Sequence, residues 1–135
     1  MKLARAAFLG FGVSLAAAAG AADFNGSTPL TCTGLAGYDC NPAKGCNKIK
    51  PQSKTAPEMQ IDLANKTVKT PYYQKNALTI ANSDLNDEQL ELQGMAVKFA
   101  WSAIVNRQTG KVTLTVADRV GAYVIFGQCK IADRT

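Results

Sequence analysis

Four cysteines carry the clearest chemistry in this 135-residue sequence: Cys32, Cys40, Cys46 and Cys129. In an oxidising compartment an even number of cysteines indicates disulfide bonds, and four cysteines allow three pairings. We favour Cys40 with Cys46, because the short segment between them contains Pro42 and Gly45 and can curl into a closed loop. Cys32 then pairs with Cys129, a bond that ties the first strand to the last.

Metal binding and redox activity are the alternative chemistries for these cysteines. The sequence contains no Cys-x-x-Cys motif and no histidine, so it lacks the usual ligands of zinc sites and the thiol pair of redox proteins. The absence of histidine also argues against haem and against a nucleophile activated by His. We therefore expect structural disulfides, no metal and no cofactor.

Acidic residues are the remaining candidates for catalysis. They lie mainly at predicted turns, as Asp84, Asp87 and Glu88 do. The tract 84–88 lacks the glycine and the spaced ligands of a calcium loop, so we interpret it as a turn. A carboxylate pair at glycosidase spacing, or a serine activated by lysine, would make the protein a His-independent hydrolase, which we rank below the non-enzymatic hypotheses.

Four further residues are candidate contact or cavity residues: Trp101, Tyr72, Tyr73 and Lys44. Trp101 is on the inward parity of a predicted strand, which favours core packing, with the wall of a ligand cavity as the alternative. Tyr72 and Tyr73 are either contact residues or a cover over the core. Lys44 belongs to a lysine cluster with Lys48, Lys50 and Lys54 in one predicted loop.

The lysine cluster favours a solvated loop over a site for an anionic glycan, a lipid head group or an acidic protein. No aromatic residues are interleaved with the lysines, as they are in platforms that bind single-stranded nucleic acid. We therefore expect no nucleic-acid partner.

The amino terminus has the pattern of a secretory signal peptide. Lys2 and Arg5 precede an apolar stretch that runs into small residues suited to cleavage after Ala22. The apolar core is shorter than the ~20 residues needed to cross a bilayer, so an uncleaved anchor is the weaker alternative. We expect a signal peptide at 1–22, a single β domain at 23–135 with no membrane span, and a periplasmic or secreted location.

Apolar and polar residues alternate through most of the mature chain, which is the pattern of β-strands. It predicts strands at 59–63, 67–70, 78–80, 90–92, 97–105 and 112–116. Polar turns are expected at 64–66, 82–87 and 106–110. The segment 122–126 is apolar on both parities, which is typical of a strand covered on both sides or of one that closes a barrel.

About seven or eight short strands in succession predict a mainly β protein, as a small antiparallel meander barrel or, alternatively, a two-sheet sandwich. Several short motifs resemble a group of small exported proteobacterial proteins of no assigned function: Phe24-Asn25-Gly26, Leu92-Gln93-Gly94, Trp101-Ser102 and Phe126-Gly127-Gln128-Cys129, with Cys32, Cys40 and Cys46. The resemblance covers nearly all of the mature chain. It implies export and a β architecture, and no activity.

In outline the chain also resembles the periplasmic C-type lysozyme inhibitors, which are small disulfide-bonded β-barrels. Their Ser/Gly-rich loop with an inserting lysine has no counterpart here, because Ala43-Lys44-Gly45 is too short. No functional residue is carried over from them.

Two non-enzymatic functions follow as hypotheses. The first is a periplasmic binding or inhibitor module that acts through loops on a stapled scaffold, as a monomer, on an envelope protein, a glycan or a small ligand. The second is a carrier of a small apolar ligand inside the barrel, with Phe99 and Trp101 on the wall. A filled interior favours the first, and an open apolar cavity favours the second.

Overall fold

The computed structural model describes residues 22–49, 58–70 and 77–132. These ranges contain strands and no helix. The strands are β1 (Leu30–Asn41), β2 (Gly45–Ile49), β3 (Glu58–Asp62), β4 (Thr67–Lys69), β5 (Leu78–Thr79), β6 (Asn82–Leu85), β7 (Gln89–Ala96), β8 (Phe99–Asn106), β9 (Lys111–Ala117) and β10 (Ala122–Ile131). The described part of the chain therefore has no helix long and apolar enough to cross a membrane.

One antiparallel sheet contains all ten strands, in the order β5-β4-β3-β1-β10-β9-β8-β7-β6, with β2 added beside β1. Two strands share one edge of β1, because β3 pairs with residues 30–33 and β2 pairs with residues 37–41. The first strand therefore lies between the last strand and the next two in sequence, as a meander barrel requires.

The two ends of this strand order are joined by one continuous segment, residues 78–85. Its first half, β5, pairs with β4, and its second half, β6, pairs with β7. Between them the Ile80 N–H donates to the Lys66 carbonyl at 2.9 Å, and the Ala81 N–H donates to the Gln93 carbonyl at 2.8 Å. The sheet therefore curls into a barrel-like form, which confirms the predicted fold class.

Both predicted disulfide pairings are confirmed. Cys32 and Cys129 are direct cross-strand partners on β1 and β10, with their Cα atoms 3.8 Å apart. Cys40 and Cys46 are direct partners on β1 and β2, with a Cα separation of 4.0 Å. Two disulfides indicate an oxidising, extracytoplasmic environment.

The inward side chains of the strands form the core. Alternation places every second residue inside, and the largest of the fully buried side chains are Leu30, Ile61, Leu90, Leu92, Val68, Val105, Cys32 and Cys129. Each buried leucine or isoleucine contributes about 1.5–3 kcal/mol relative to an exposed one.

The structure confirms several predicted elements to within a residue or two at their ends. They are the strands at 59–63, 67–70 and 112–116 and the turn at 106–110.

Two sequence predictions about the strands are wrong. The predicted polar turn at 82–87 contains β6, which pairs with β7 although all four of its residues are exposed. Backbone pairing alone holds β6, so no hydrophobic alternation marks it. The run 97–105 is not one strand, because Ala96 pairs with Phe99 and the two residues between them form a turn in which Val97 is exposed.

Two further expectations need correction. β10 is not covered on both sides, since Tyr123 and Phe126 are exposed, although it does close the barrel against β1. The lysine cluster is not confined to a loop, because Lys48 lies on β2. Lys50 and Lys54 lie outside the described residues, as does the predicted signal peptide except for Ala22.

Candidate functional site

The two ends of the barrel differ. The turns after β1, β7 and β9, at residues 42–44, 97–98 and 118–121, lie together at what we call the open end. The turns at 63–66, 86–88 and 107–110 lie at the opposite end, which we call the closed end. Antiparallel pairing fixes this division, because successive turns of a meander alternate between ends.

A cavity of about 390 Å³ occupies the barrel interior towards the open end. Its wall is formed by Ile49, Met59, Val68, Thr70, Leu78, Phe99, Trp101, Leu114, Val116, Tyr123 and Ile125. None of these described residues carries a formal charge, and only Thr70, Trp101 and Tyr123 have a polar side-chain atom. Apolar cavities of this size with few polar groups are typical of small-molecule sites.

Trp101 forms one side of the wall because its partner on the next strand is a glycine. Gly94 pairs with Trp101 across β7 and β8, and a Cβ at position 94 would lie 2.5 Å from Cζ2 and 2.6 Å from Cε2 of the indole. The ring therefore fills the place of the missing side chain. Its Nε1–H is buried and has no hydrogen-bond partner among the described residues, which costs about 1–3 kcal/mol.

Glycines also shape the β1 side of the cavity. A Cβ at Gly34 would lie 3.1 Å from Ile125 Cγ2, and one at Gly37 would lie 3.0 Å from Ile49 Cγ1. The inner surface of β1 is therefore bare backbone at these two positions. Ile49 and Ile125 pack across it and leave the lumen beyond them open.

A shallow groove adjoins the cavity at the open end. Tyr123 lines both spaces, and the groove also contains the carboxylates of Asp39 and Asp118. Asp118 Oδ1 accepts hydrogen bonds from the backbone N–H groups of Val120 at 2.8 Å and Gly121 at 3.0 Å. This carboxylate therefore holds the β9–β10 turn together.

Asp23 and Phe24 cover the closed end of the barrel. Phe24 is buried, and a Cβ on Gly110 would lie 2.6 Å from its Cζ. Arg107 Nε donates to Asp23 Oδ1 at 2.9 Å, and its terminal nitrogen donates to Oδ2 at 2.7 Å. These hydrogen bonds from Arg107 lower the pKa of the Asp23 carboxyl and raise that of the guanidinium.

The sequence-predicted site residues are brought together only in part. Trp101 and Phe99 both line the cavity, whereas Lys44 is exposed in the turn between β1 and β2. Tyr72 and Tyr73 lie outside the described residues. Sequence reasoning missed Tyr123 as a cavity residue. The signal was available, because Tyr123 is two residues before Ile125 on β10 and therefore points to the same, inner face of the strand.

The cavity wall consists mainly of aliphatic and aromatic side chains. Its described residues include no carboxylate, lysine, arginine or free thiol that could act as nucleophile or base. Elsewhere in the described ranges, no group of three or more potential ligands is placed to hold a metal ion.

No protein-family model, curated protein or solved structure matches this chain. The resemblances to small exported proteins and to lysozyme inhibitors stay predictions.

Proposed function

We propose that this protein is a non-enzymatic binding protein, periplasmic or secreted, that carries a small apolar molecule in the barrel cavity. The observation that supports this function is the uncharged, mainly apolar wall around about 390 Å³ of open space. A well-packed interior of purely structural side chains leaves few voids larger than a water molecule. The cavity therefore favours the carrier hypothesis over a filled scaffold.

The size of the cavity sets the expected affinity. A ligand that buries about 300 Å² of apolar surface gains about 7 kcal/mol from the hydrophobic effect. Part of this gain offsets the loss of translational and rotational freedom on binding. We therefore expect dissociation constants in the micromolar range or weaker for simple hydrocarbons.

Trp101 offers a direct test, because it is the single tryptophan of the chain and lies in the wall. Titration with the neutral probe N-phenyl-1-naphthylamine should quench its fluorescence by energy transfer, with saturation at one probe per protein. Val116→Phe should weaken binding at least tenfold, because Val116 pairs with Trp101 and projects into the cavity.

Thr115→Phe is the matched control. Thr115 is the neighbouring residue on β9 and projects outwards, where its hydroxyl lies 2.6 Å from that of Ser102. Its substitution should leave probe binding unchanged. Equal loss of binding in both variants, or no saturable binding by the native protein, would contradict the proposal.

A second candidate function, a module that binds another protein, is favoured by the outer face of the barrel. Four strands present rows of uncharged outward residues: Ala100, Ala117 and Ala122; Ser102, Thr115, Val124 and Tyr38; Ile104, Thr113, Phe126 and Ala36. Phe126 and Ile104 are exposed. The centres of protein interfaces typically contain few charged residues and are enriched in aromatic ones.

Variants on this face separate the two functions. Phe126→Lys should abolish retention of a protein partner from an envelope extract while leaving probe binding intact. Val116→Phe should do the reverse. A partner retained equally by native protein and Phe126→Lys would exclude this face as its site.

A further inference from the structure

The cavity is blind, which limits the shape of its ligand. On the closed-end side the lumen is filled by side chains that are at most 1% exposed: Leu30, Ile61, Leu90, Leu92 and Val105. Beyond them Phe24 covers the barrel, with its N–H donating to the Arg107 carbonyl at 3.0 Å. Within the part of the chain that the structure describes, the side chains therefore leave the cavity accessible from the open end, and the buried part of a ligand has a fixed maximum length.

Exposure of the wall rises along the cavity. Val68 is 1% exposed and Trp101 is 4% exposed, whereas Tyr123 is 43% exposed. Apart from the Met59 sulfur, the Thr70 hydroxyl and the Trp101 indole, the wall is hydrocarbon, and the phenol of Tyr123 lies where the cavity meets the groove. A charged or multiply hydrated head group buried in the inner part would lose most of its hydration, because the described wall there has no charged group and the Trp101 Nε1–H is a single donor. A polar group at the Tyr123 side would stay in contact with water.

Charges around the open end have both signs. Each of the three turns carries one cation, Lys44, Lys98 or Arg119, and the groove carries Asp39 and Asp118. A charged head group at this rim would meet both attraction and repulsion, screened by solvent. The described part of the rim, with three cations and two carboxylates, therefore does not select one sign of charge strongly.

We propose, building on the ligand-binding function above, that the ligand is a single-tailed amphiphile that inserts tail first and leaves its polar head beside Tyr123. A water molecule occupies about 30 Å³ in the liquid, and a CH₂ group takes up about the same space. The 390 Å³ cavity therefore corresponds to a tail of roughly a dozen carbons. Recognition is by tail length and not by the charge of the head.

Displacement of N-phenyl-1-naphthylamine from the native protein by straight-chain 1-alkanols tests this inference. Affinity should rise about fourfold for each added methylene, as expected for burial of one CH₂ group. The increase should stop at about a dozen carbons, where the tail meets the filled part of the barrel. A continued rise well beyond that length would overturn the blind-cavity orientation.

Head groups are compared at constant tail length with decanol, decanoate and decyltrimethylammonium, below their micellar concentrations. Their affinities should agree within about tenfold, because the rim carries both signs of charge. A difference of more than a hundredfold, or tighter binding of the planar hydrocarbon phenanthrene than of any alkanol, would refute the amphiphile. If the probe itself does not bind, the ligand-binding function fails as well, so the two failures are distinguishable.

Leu114→Ala moves the length limit in a predictable direction. Leu114 lines the cavity, and replacement of its isobutyl side chain by a methyl group removes three carbons, so the optimum should shift to longer alkanols by about three carbons. Thr113→Ala, on the outer face, should leave it unchanged. Should Leu114→Ala fail to fold by circular dichroism, Val116→Ala should lengthen the optimum by about two carbons. An unchanged optimum in a folded cavity variant would refute the inference.

Discussion

Trp101 and Gly94 face each other across β7 and β8, and the indole occupies the space that a side chain at position 94 would need. Through this pair, Trp101 belongs both to the buried core and to the cavity wall. The glycine removes a side chain from the inner face of β7, and the tryptophan closes the resulting gap without filling the lumen.

Gly94→Ala should therefore damage both stability and binding. The added Cβ would overlap Cζ2 of the indole at 2.5 Å and would also meet the Thr79 backbone, so the ring or the strand must move. Overpacking of this kind costs about 1–3 kcal/mol or more. Chemical denaturation should show a lower midpoint, with a shifted Trp101 emission maximum. The exposed neighbour Met95 provides the control, since Met95→Ala should change neither quantity appreciably.

The two disulfides should contribute unequally to stability. Cys32–Cys129 closes a separation of 97 residues, and Cys40–Cys46 closes one of 6. In the chain-entropy model these loops correspond to about 4–5 and about 2–3 kcal/mol. Replacing Cys32 and Cys129 together by Ser should lower the thermal midpoint more than replacing Cys40 and Cys46. The opposite order in calorimetry would show that effects on the folded state outweigh loop closure.

The Asp23–Arg107 ion pair predicts a specific dependence on pH. The pKa of the Asp23 carboxyl is lowered from its ordinary value of 3.8, chiefly by the hydrogen bond from Arg107. Its contribution to stability is therefore present above pH 3.8 and is lost as the pH falls through the lower, folded-state pKa. Asp23→Asn should lower the melting temperature by a constant amount at neutral pH, and the difference from native protein should shrink below pH 3.8.

Asp84→Asn is the matched control for this pH series. Asp84 lies on the exposed strand β6 and forms no ion pair among the described residues. Its melting curve should follow that of the native protein at every pH. A difference between native protein and Asp23→Asn that persists unchanged at pH 2 would contradict the assigned role of the carboxylate.

The start of the mature chain is the last prediction. Asp23 and Phe24 both contact the closed end of the barrel, so cleavage after Ala22 would leave these contacts intact. Intact-mass measurement of protein from the envelope fraction should give a chain that begins at Asp23, within a residue or two. A mass that retains Met1 would defeat the prediction of a cleaved signal peptide.

The sequence by itself predicted which side chains point inwards, and among three possible cysteine pairings it favoured the one that the structure shows. Alternation of period two placed Ile61, Leu90, Leu92 and Val105 inside, because a strand covered on one face must bury every second residue. The short segment between Cys40 and Cys46, which contains Pro42 and Gly45, favoured a bond between these two cysteines and so left Cys32 to pair with Cys129. The prediction of a turn at 82–87 was wrong, because β6 is exposed on both faces and its sequence shows no hydrophobic alternation.

Only the tertiary structure decided that the barrel encloses a cavity. Residues from seven strands line it, and its volume depends on how closely those strands approach across bare glycines such as Gly34 and Gly37. Alternation shows which residues face the interior, and it does not show whether their side chains meet. The exposure of Tyr123 at the open end likewise depends on closure of β10 against β1, a contact between residues far apart in the chain.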